Sequence, residues 1–247
     1  MKIEVLISAL VIAVAITLWS QWSGNRTTPM QFSGQDAVLE QAIAADDPAA
    51  VNSAIAGGAD VNARGAVGVT PLLYAVGTGK LRAAQALIAK GANPNLEDDE
   101  GDTAVTLAVN RYANQPELLT MVLEAGGNPN QLRPDGDPVI VRFINGANLD
   151  AITLMQSKGA DMSAIANQQP LVVFAAYGTD WDVVWHLITL GADLDDLKAR
   201  EGLVEAFKVP GATLPDSPLY PAKVKVYERL RELGENPVPP ADYEGSL

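Results

Sequence analysis

The chain has 247 residues, 48% of them apolar and 19% charged, with a formal net charge of −13. Such a chain buries a substantial core, and its acidity argues against binding nucleic-acid phosphates or lying on anionic lipid. One histidine and no cysteine exclude lipoprotein processing, a Cys–His nucleophile and a zinc cluster built from this chain alone.

The first element is an apolar run from Val5 to Trp19, interrupted only by Ser8 and Thr17. Its length sits at the short edge of a membrane span and also fits the hydrophobic region of a secretion signal. After the run there is no A-x-A cleavage triplet; Ala13-Val14-Ala15 lies inside it, and Trp19 and Trp22 are placed as interfacial anchors. Residues 1–24 are therefore read as one hydrophobic helix, an uncleaved membrane anchor, with a cleaved signal as the alternative. A short tail before a single run delivers the remainder across the membrane. The expectation is a single-pass protein of the bacterial inner membrane with its main body in the periplasm, or a soluble periplasmic protein if the signal is cleaved. Residues 25–35, rich in Ser, Thr, Gly, Asn and Gln, are a linker.

From residue 36 a triplet recurs: Gly58-Ala59-Asp60, Gly91-Ala92-Asn93, Gly159-Ala160-Asp161 and Gly191-Ala192-Asp193. Gly126-Gly127-Asn128 is a looser copy and Gly234-Glu235-Asn236 a worn one. The steps between leading glycines are 33, 35, 33, 32 and 43 residues, the signature of stacked units that bury their apolar faces against neighbours. Each glycine ends a helix whose apolar residues fall at helical spacing, as in Leu81, Ala84, Leu87 and Ile88, then Leu118, Leu119, Val122 and Leu123, then Leu149, Ile152 and Met155. Thr70-Pro71 and the later X-Pro pairs at Asp137-Pro138 and Gln169-Pro170 read as helix starts, because the first helical turn tolerates a residue without an N–H.

Thr70-Pro71-Leu72-Leu73-Tyr74-Ala75 resembles the T-P-L-H-x-A opening of the ankyrin repeat, and Thr103-Ala104-Val105-Thr106-Leu107-Ala108 is a weaker copy. The resemblance covers residues 36–236 as about six units, the last atypical. The composition of 237–247, rich in proline, reads as a flexible tail, and the resemblance implies an all-α repeat solenoid, with two helices and a finger loop per unit. It also implies that a protein partner meets the side made of finger tips and the exposed ends of the first helices. On this chain that surface carries Asp99, Glu100, Asp102, Arg133 and Asp135 from the fingers, with Asn167 and Gln168 on a later one. Arg111, Tyr112, Ile144, Asn145 and Tyr177 come from the helix ends.

The strongest charge feature is Glu97-Asp98-Asp99-Glu100-Gly101-Asp102. It reads as a solvated finger, as a landing site for a basic protein surface, or as a calcium loop, although it lacks alternating ligand spacing. Gly77-Thr78-Gly79-Lys80 is a turn rather than a phosphate loop, since Leu81 stands where Ser or Thr must bind magnesium. His186 falls at a position of the second helix that the resemblance fills with leucine, so it is expected to be a satisfied, partly buried residue. Two departures from the pattern mark further candidates: the lengthened turn Asn110–Asn114, and the proline-rich segment Lys208–Pro221 between the last two helices. Trp185, four residues after Trp181, is either an exposed anchor or packed against that segment.

With no nucleophile, base or metal motif, the expectation is a non-enzymatic protein-binding module without cofactor, metal or small-molecule substrate. Its expected contacts are the inner membrane and a protein with a basic surface. Exported bacterial proteins of the resembled family include immunity partners of secreted antibacterial effectors, such as those of type VI secretion; a periplasmic scaffold for a stress-defence enzyme such as catalase is the alternative.

Overall fold

The computed structural model describes residues 33–178, 180–209, 216–241 and 243. The expected anchor (1–24) and most of the linker (25–35) lie outside them, and among the described residues no helix is long and apolar enough to cross a membrane. The chain divides into two compact units, Met1–Gly127 and Asn128–Leu247.

The first unit contains three helix pairs: α1 (Gln35–Ala44) with α2 (Pro48–Ala56), α3 (Pro71–Thr78) with α4 (Leu81–Ala89), and α5 (Ala104–Arg111) with α6 (Pro116–Glu124). First helices stack on first helices (α1, α3, α5) and second on second (α2, α4, α6), giving two layers with the core between them. Helix starts follow the chemistry of the sequence. Asp47 and Thr70 each cap a helix that begins with proline; the Thr70 hydroxyl accepts from the Leu73 N–H at 3.2 Å. Thr103 and Thr106 form a reciprocal capping box at α5. Leu118, Leu119, Val122 and Leu123 of α6 are all buried, each worth ~1.5–3 kcal/mol relative to exposure.

The second unit contains α7 (Val141–Asn145), α8 (Leu149–Ser157), α9 (Leu171–Tyr177), α10 (Trp181–Thr189), α11 (Leu197–Ala206) and α12 (Tyr220–Glu232). A two-residue antiparallel hairpin, β1 (Ile165–Ala166) and β2 (Gln169–Pro170), forms one finger. Asn167 and Gln168 make its turn, both with positive φ (47° and 64°), as a twist-matched hairpin turn requires. Two expected helix starts are corrected here. Pro138 bridges Leu132 and α7 begins only at Val141, while Pro170 belongs to β2 and α9 begins at Leu171. Proline was read as the first helical residue at both places, but the finger strands claim it first.

The repeating glycines have one conformation: Gly58, Gly91, Gly126, Gly159, Gly191 and Gly234 all have φ between 86° and 102°, so the worn copy at Gly234 ends its helix like the others. Gly127 replaces the usual alanine for a steric reason. A Cβ there would meet Val105 Cγ2 at 2.7 Å and the Val122 carbonyl at 2.8 Å.

A polar ladder joins neighbouring repeats. The Asx residue two after each of the first five repeating glycines accepts from the N–H two residues further on, at 2.9 Å for Asp60 and Asn62 and 2.8 Å for Asp161 and Ser163. The residue at that next position then reaches the following repeat. Asn62 Oδ1 accepts from the Asn93 N–H at 2.9 Å, Asn95 Nδ2 donates to the Gly126 carbonyl at 2.9 Å, and Ser163 Oγ accepts from the Asp193 N–H at 2.8 Å. In the first repeat the corresponding N–H, that of Asp60, is taken by Asp36 of α1 at 2.8 Å.

The last repeat is closed differently. Trp181, fully buried, packs its ring 4.6 Å from Phe207, which leads to Tyr227 and then Tyr243 at 6.1 and 4.8 Å. Within the segment expected to be a flexible tail, Pro237 and Pro240 are buried and the Tyr220 hydroxyl donates to the Ala241 carbonyl at 2.5 Å, so this part packs against α12. Of the proline-rich segment, residues 210–215 lie outside the described ones.

Candidate functional site

In the first unit the acidic run forms a folded finger rather than a fan of five solvated carboxylates. Asp98 is 6% exposed, and its Oδ1 accepts from the N–H groups of Glu100 and Asp102, both at 3.0 Å. The tight turn leaves those donors pointing inward, and an inward carboxylate satisfies both at once. Asp102 is partly buried and accepts the Thr106 hydroxyl at 2.8 Å, so it belongs to the start of α5. Glu97, Asp99 and Glu100 remain exposed. The finger is fixed to its neighbour, since the Asp99 N–H donates to the Val67 carbonyl at 3.0 Å and Arg64 donates to the Glu97 carbonyl at 2.5 Å. Of the three finger residues expected at the partner surface, Asp99 and Glu100 are presented and Asp102 is largely committed to the fold.

Arg111 and Tyr112 sit at the end of α5. Arg111 Nε donates to the Gly77 carbonyl at 2.7 Å, with Nη2 on the same oxygen, and Gln115 Nε2 donates to the Gly79 carbonyl at 3.1 Å. Arg111, in the lengthened turn Asn110–Asn114, and Gln115, just after it, thereby clamp the end of α3, where Gly79 adopts the left-handed φ of 73° that favours glycine. Arg111 is half-buried and makes a repeat-to-repeat bond; Tyr112 caps α5 and is half-buried.

In the second unit Arg133 and Asp135 pair with each other in an exposed turn. Asp137 Oδ1 accepts from the Asn167 N–H at 2.7 Å, tying this finger to the hairpin, and Lys198 donates to the Gln168 carbonyl at 2.5 Å. Ile144 does not belong to the surface. It is 4% exposed and packs in the core, because the late start of α7 turns Val141, Phe143 and Ile144 inward together. Asn145 and Tyr177 are exposed, Tyr177 by 52%, and both line one cleft with Asn167, Gln169, Phe174 and Gly178.

That cleft has a volume of about 410 Å³, within the range of recognition pockets, and no charged side chain lines it. Phe174 and Tyr177, three apart on α9, share a helix face and supply two rings. The expected residues named Asn145 and Tyr177 but missed Gln169 and Phe174. The signal for Phe174 was its three-residue offset from Tyr177; for Gln169 it was its place two residues beyond Asn167, across the hairpin turn.

Other titratable candidates are structural. His186 is half-buried and its Nε2 lies 2.8 Å from the Thr153 hydroxyl of α8. Trp185 is half-buried, with Lys225 Nζ of α12 5.8 Å from its ring centroid, so its neighbour is the last helix. Lys223, 4% exposed, lies 5.1 Å from the Trp181 ring and 5.3 Å from that of Phe207, and burial lowers its pKa below the usual lysine value. Among the described residues no group of three or more potential metal ligands occurs.

Residues 39–133 match the family model for ankyrin repeats (3 copies). The chain is similar to the E3 ubiquitin-protein ligase KEG of Arabidopsis thaliana, at 28% identity over 117 residues, 47% of this chain and 7% of that protein. It is also similar to an ankyrin repeat protein of Acanthamoeba polyphaga mimivirus, at 32% identity over 84 residues, 34% of this chain and 20% of that one. The chain thus spans a small part of the length of the curated relatives it matches.

Proposed function

Residues 39–133 are ankyrin repeats, a protein–protein interaction module, and on that premise we propose that this chain is an immunity protein that binds and neutralises a secreted antibacterial effector. In this reading the repeats face the periplasm, held to the inner membrane by the apolar run Val5–Trp19. The observation that carries it is the acidic finger. Asp98 staples the backbone of a turn on which Glu97, Asp99 and Glu100 are exposed, so a basic partner need not order the loop on contact. These clustered carboxylates steer a cationic active-site rim and speed encounter, with the effect screened by salt. The effector remains a proposal of class: a toxic hydrolase whose basic entrance is occluded.

Purification of the full chain from its native organism, followed by mass spectrometry and an activity assay on whatever is retained, tests this. One stoichiometric hydrolase silenced in the complex is expected, with sensitivity to sibling cells after deletion of the gene. A retained enzyme that stays active favours a scaffold instead, and full resistance of the deletion strain overturns the immunity reading. Protease accessibility in intact spheroplasts tests the periplasmic placement.

A further inference from the structure

The ladder of side chains that links the repeats stops before the last one. At the positions four residues beyond the repeating glycines, Asn62, Asn95, Asn130 and Ser163 each bond the following repeat. Asp195 holds that position after Gly191, and its own N–H donates to Asp193 Oδ1 at 2.7 Å as in the other turns. Its carboxylate accepts from no described residue, and the Asn236 N–H that would meet it donates to none. Two residues account for the gap. The Asp195 carboxylate cannot donate to a glycine carbonyl as the ladder amides do, and Asn236 is drawn to its own helix, its Oδ1 accepting from Arg231 Nη1 at 2.6 Å. Beside the unmade rung lies a cleft of about 370 Å³, between the ends of α10 and α12. Its apolar wall is Ile188, Leu194 and Leu233, and Asp193, Asp195 and Arg229 supply its polar side chains.

We propose that this cleft receives a primary ammonium or guanidinium head on an aliphatic stem, carried either by a free polyamine or by a lysine or arginine side chain. The site is built from second helices and the base of a finger, apart from the finger tips and first-helix ends, and it does not depend on the immunity reading. Its lining selects the ligand. Arg229 is already paired with Glu232 at 2.8 Å, so the two aspartates set the sign of the cleft and repel an anion. A divalent metal needs more ligands than two aspartates supply, and no group of three or more candidates occurs among the described residues. No aromatic ring lines the cleft to cage a quaternary ammonium. The complement is therefore a cation with N–H donors for the Asp195 oxygens and methylenes to lie along Ile188 and Leu233, as long basic side chains lie along apolar surface.

The test is an NMR titration of the full chain, with isoleucine and leucine methyl groups labelled, against cadaverine and against lysine capped at both backbone ends. The methyl signals of Ile188, Leu194 and Leu233 should shift saturably with at least one of them. Half-saturation is expected on the order of 1–10 mM, the weak range for solvated carboxylates. Saturation by capped lysine assigns the cleft to a protein side chain, and saturation by cadaverine alone assigns it to free polyamines. The permethylated forms of both amines, which keep the charge without an N–H, should bind at least about fivefold more weakly. Asp195→Asn should weaken binding about fivefold or more, while Asp99→Asn, which removes the same charge from the acidic finger of the first unit, should change it less than about twofold. Both positions are exposed, and thermal melting of each variant shows that the fold is retained. The proposal is overturned if those methyl signals saturate with neither amine, if the permethylated forms bind equally well, or if the two variants weaken binding equally. None of these outcomes depends on whether an effector is silenced, so the two readings fail separately.

Discussion

The Asn130 side chain grips the next repeat at two points, accepting from the Asp161 N–H at 2.8 Å and donating to the Gly159 carbonyl at 3.0 Å. The two bonds need an amide, since a carboxylate accepts but cannot donate. Asn130→Asp is therefore expected to lose the bond to Gly159 and keep the one to Asp161. Asn130→Ala should cost about 1–3 kcal/mol, with Asn130→Asp in between, as measured by urea denaturation at neutral pH.

Gly127 stands where the repeat pattern has alanine, and restoring that alanine is expected to harm the protein. Its Cβ would press on Val105 Cγ2 and the Val122 carbonyl, both closer than 3.0 Å. Gly127→Ala should destabilise by about 1–3 kcal/mol despite the gain in backbone entropy. The double variant with Val105→Ala should recover part of that loss, which a thermal melt reads directly.

The acidic finger separates into two behaviours. Asp98→Ala removes the acceptor of two turn N–H groups and should cost about 1–3 kcal/mol in stability. Replacing Asp99 and Glu100 by Ser should leave stability within about 0.5 kcal/mol while slowing association with the partner and flattening its salt dependence. Stopped-flow association at several ionic strengths distinguishes them.

Arg111 was expected at the partner surface, but its guanidinium is bonded to Gly77. Arg111→Ala should lower stability by about 1–2 kcal/mol, and Arg111→Lys should restore little because one ammonium cannot reproduce the planar fork. Unfolding curves for the two variants check this.

Lys223 gives a pH signature. Burial lowers its pKa in the folded chain, so between that value and the ordinary lysine value the unfolded chain holds more protons. Stability from this group therefore rises with pH through the window and is lowest below it, where the charged form is buried. Lys223→Met, which does not titrate, should flatten the alkaline rise, as read by denaturation at several pH values.

The repeats were legible because glycine period, Thr-Pro caps and helical spacing all depend on local chemistry. The misreadings share a different cause. Ile144 was placed on the surface because Pro138 was taken to start α7; a single cross-finger bridge to Leu132 delays the helix and changes which side of α7 faces inward. Asp98 was counted among solvated acids because composition does not show which carboxylate a turn draws inward. Trp181 and Phe207 meet across a long segment, 4.6 Å apart, a contact with no period to announce it.

The ladder also determines where this chain tolerates change. It is reckoned from each glycine through the finger to the next repeat, and Asn62, Asn95, Asn130 and Ser163 all stand four residues beyond their glycine. The long connections, Tyr112–Gln115 and Phe207–Leu219, both fall between a first and a second helix, away from that count. A length change in either connection leaves the count from glycine to ladder partner intact, whereas one residue added between a glycine and its ladder partner would unlink two repeats.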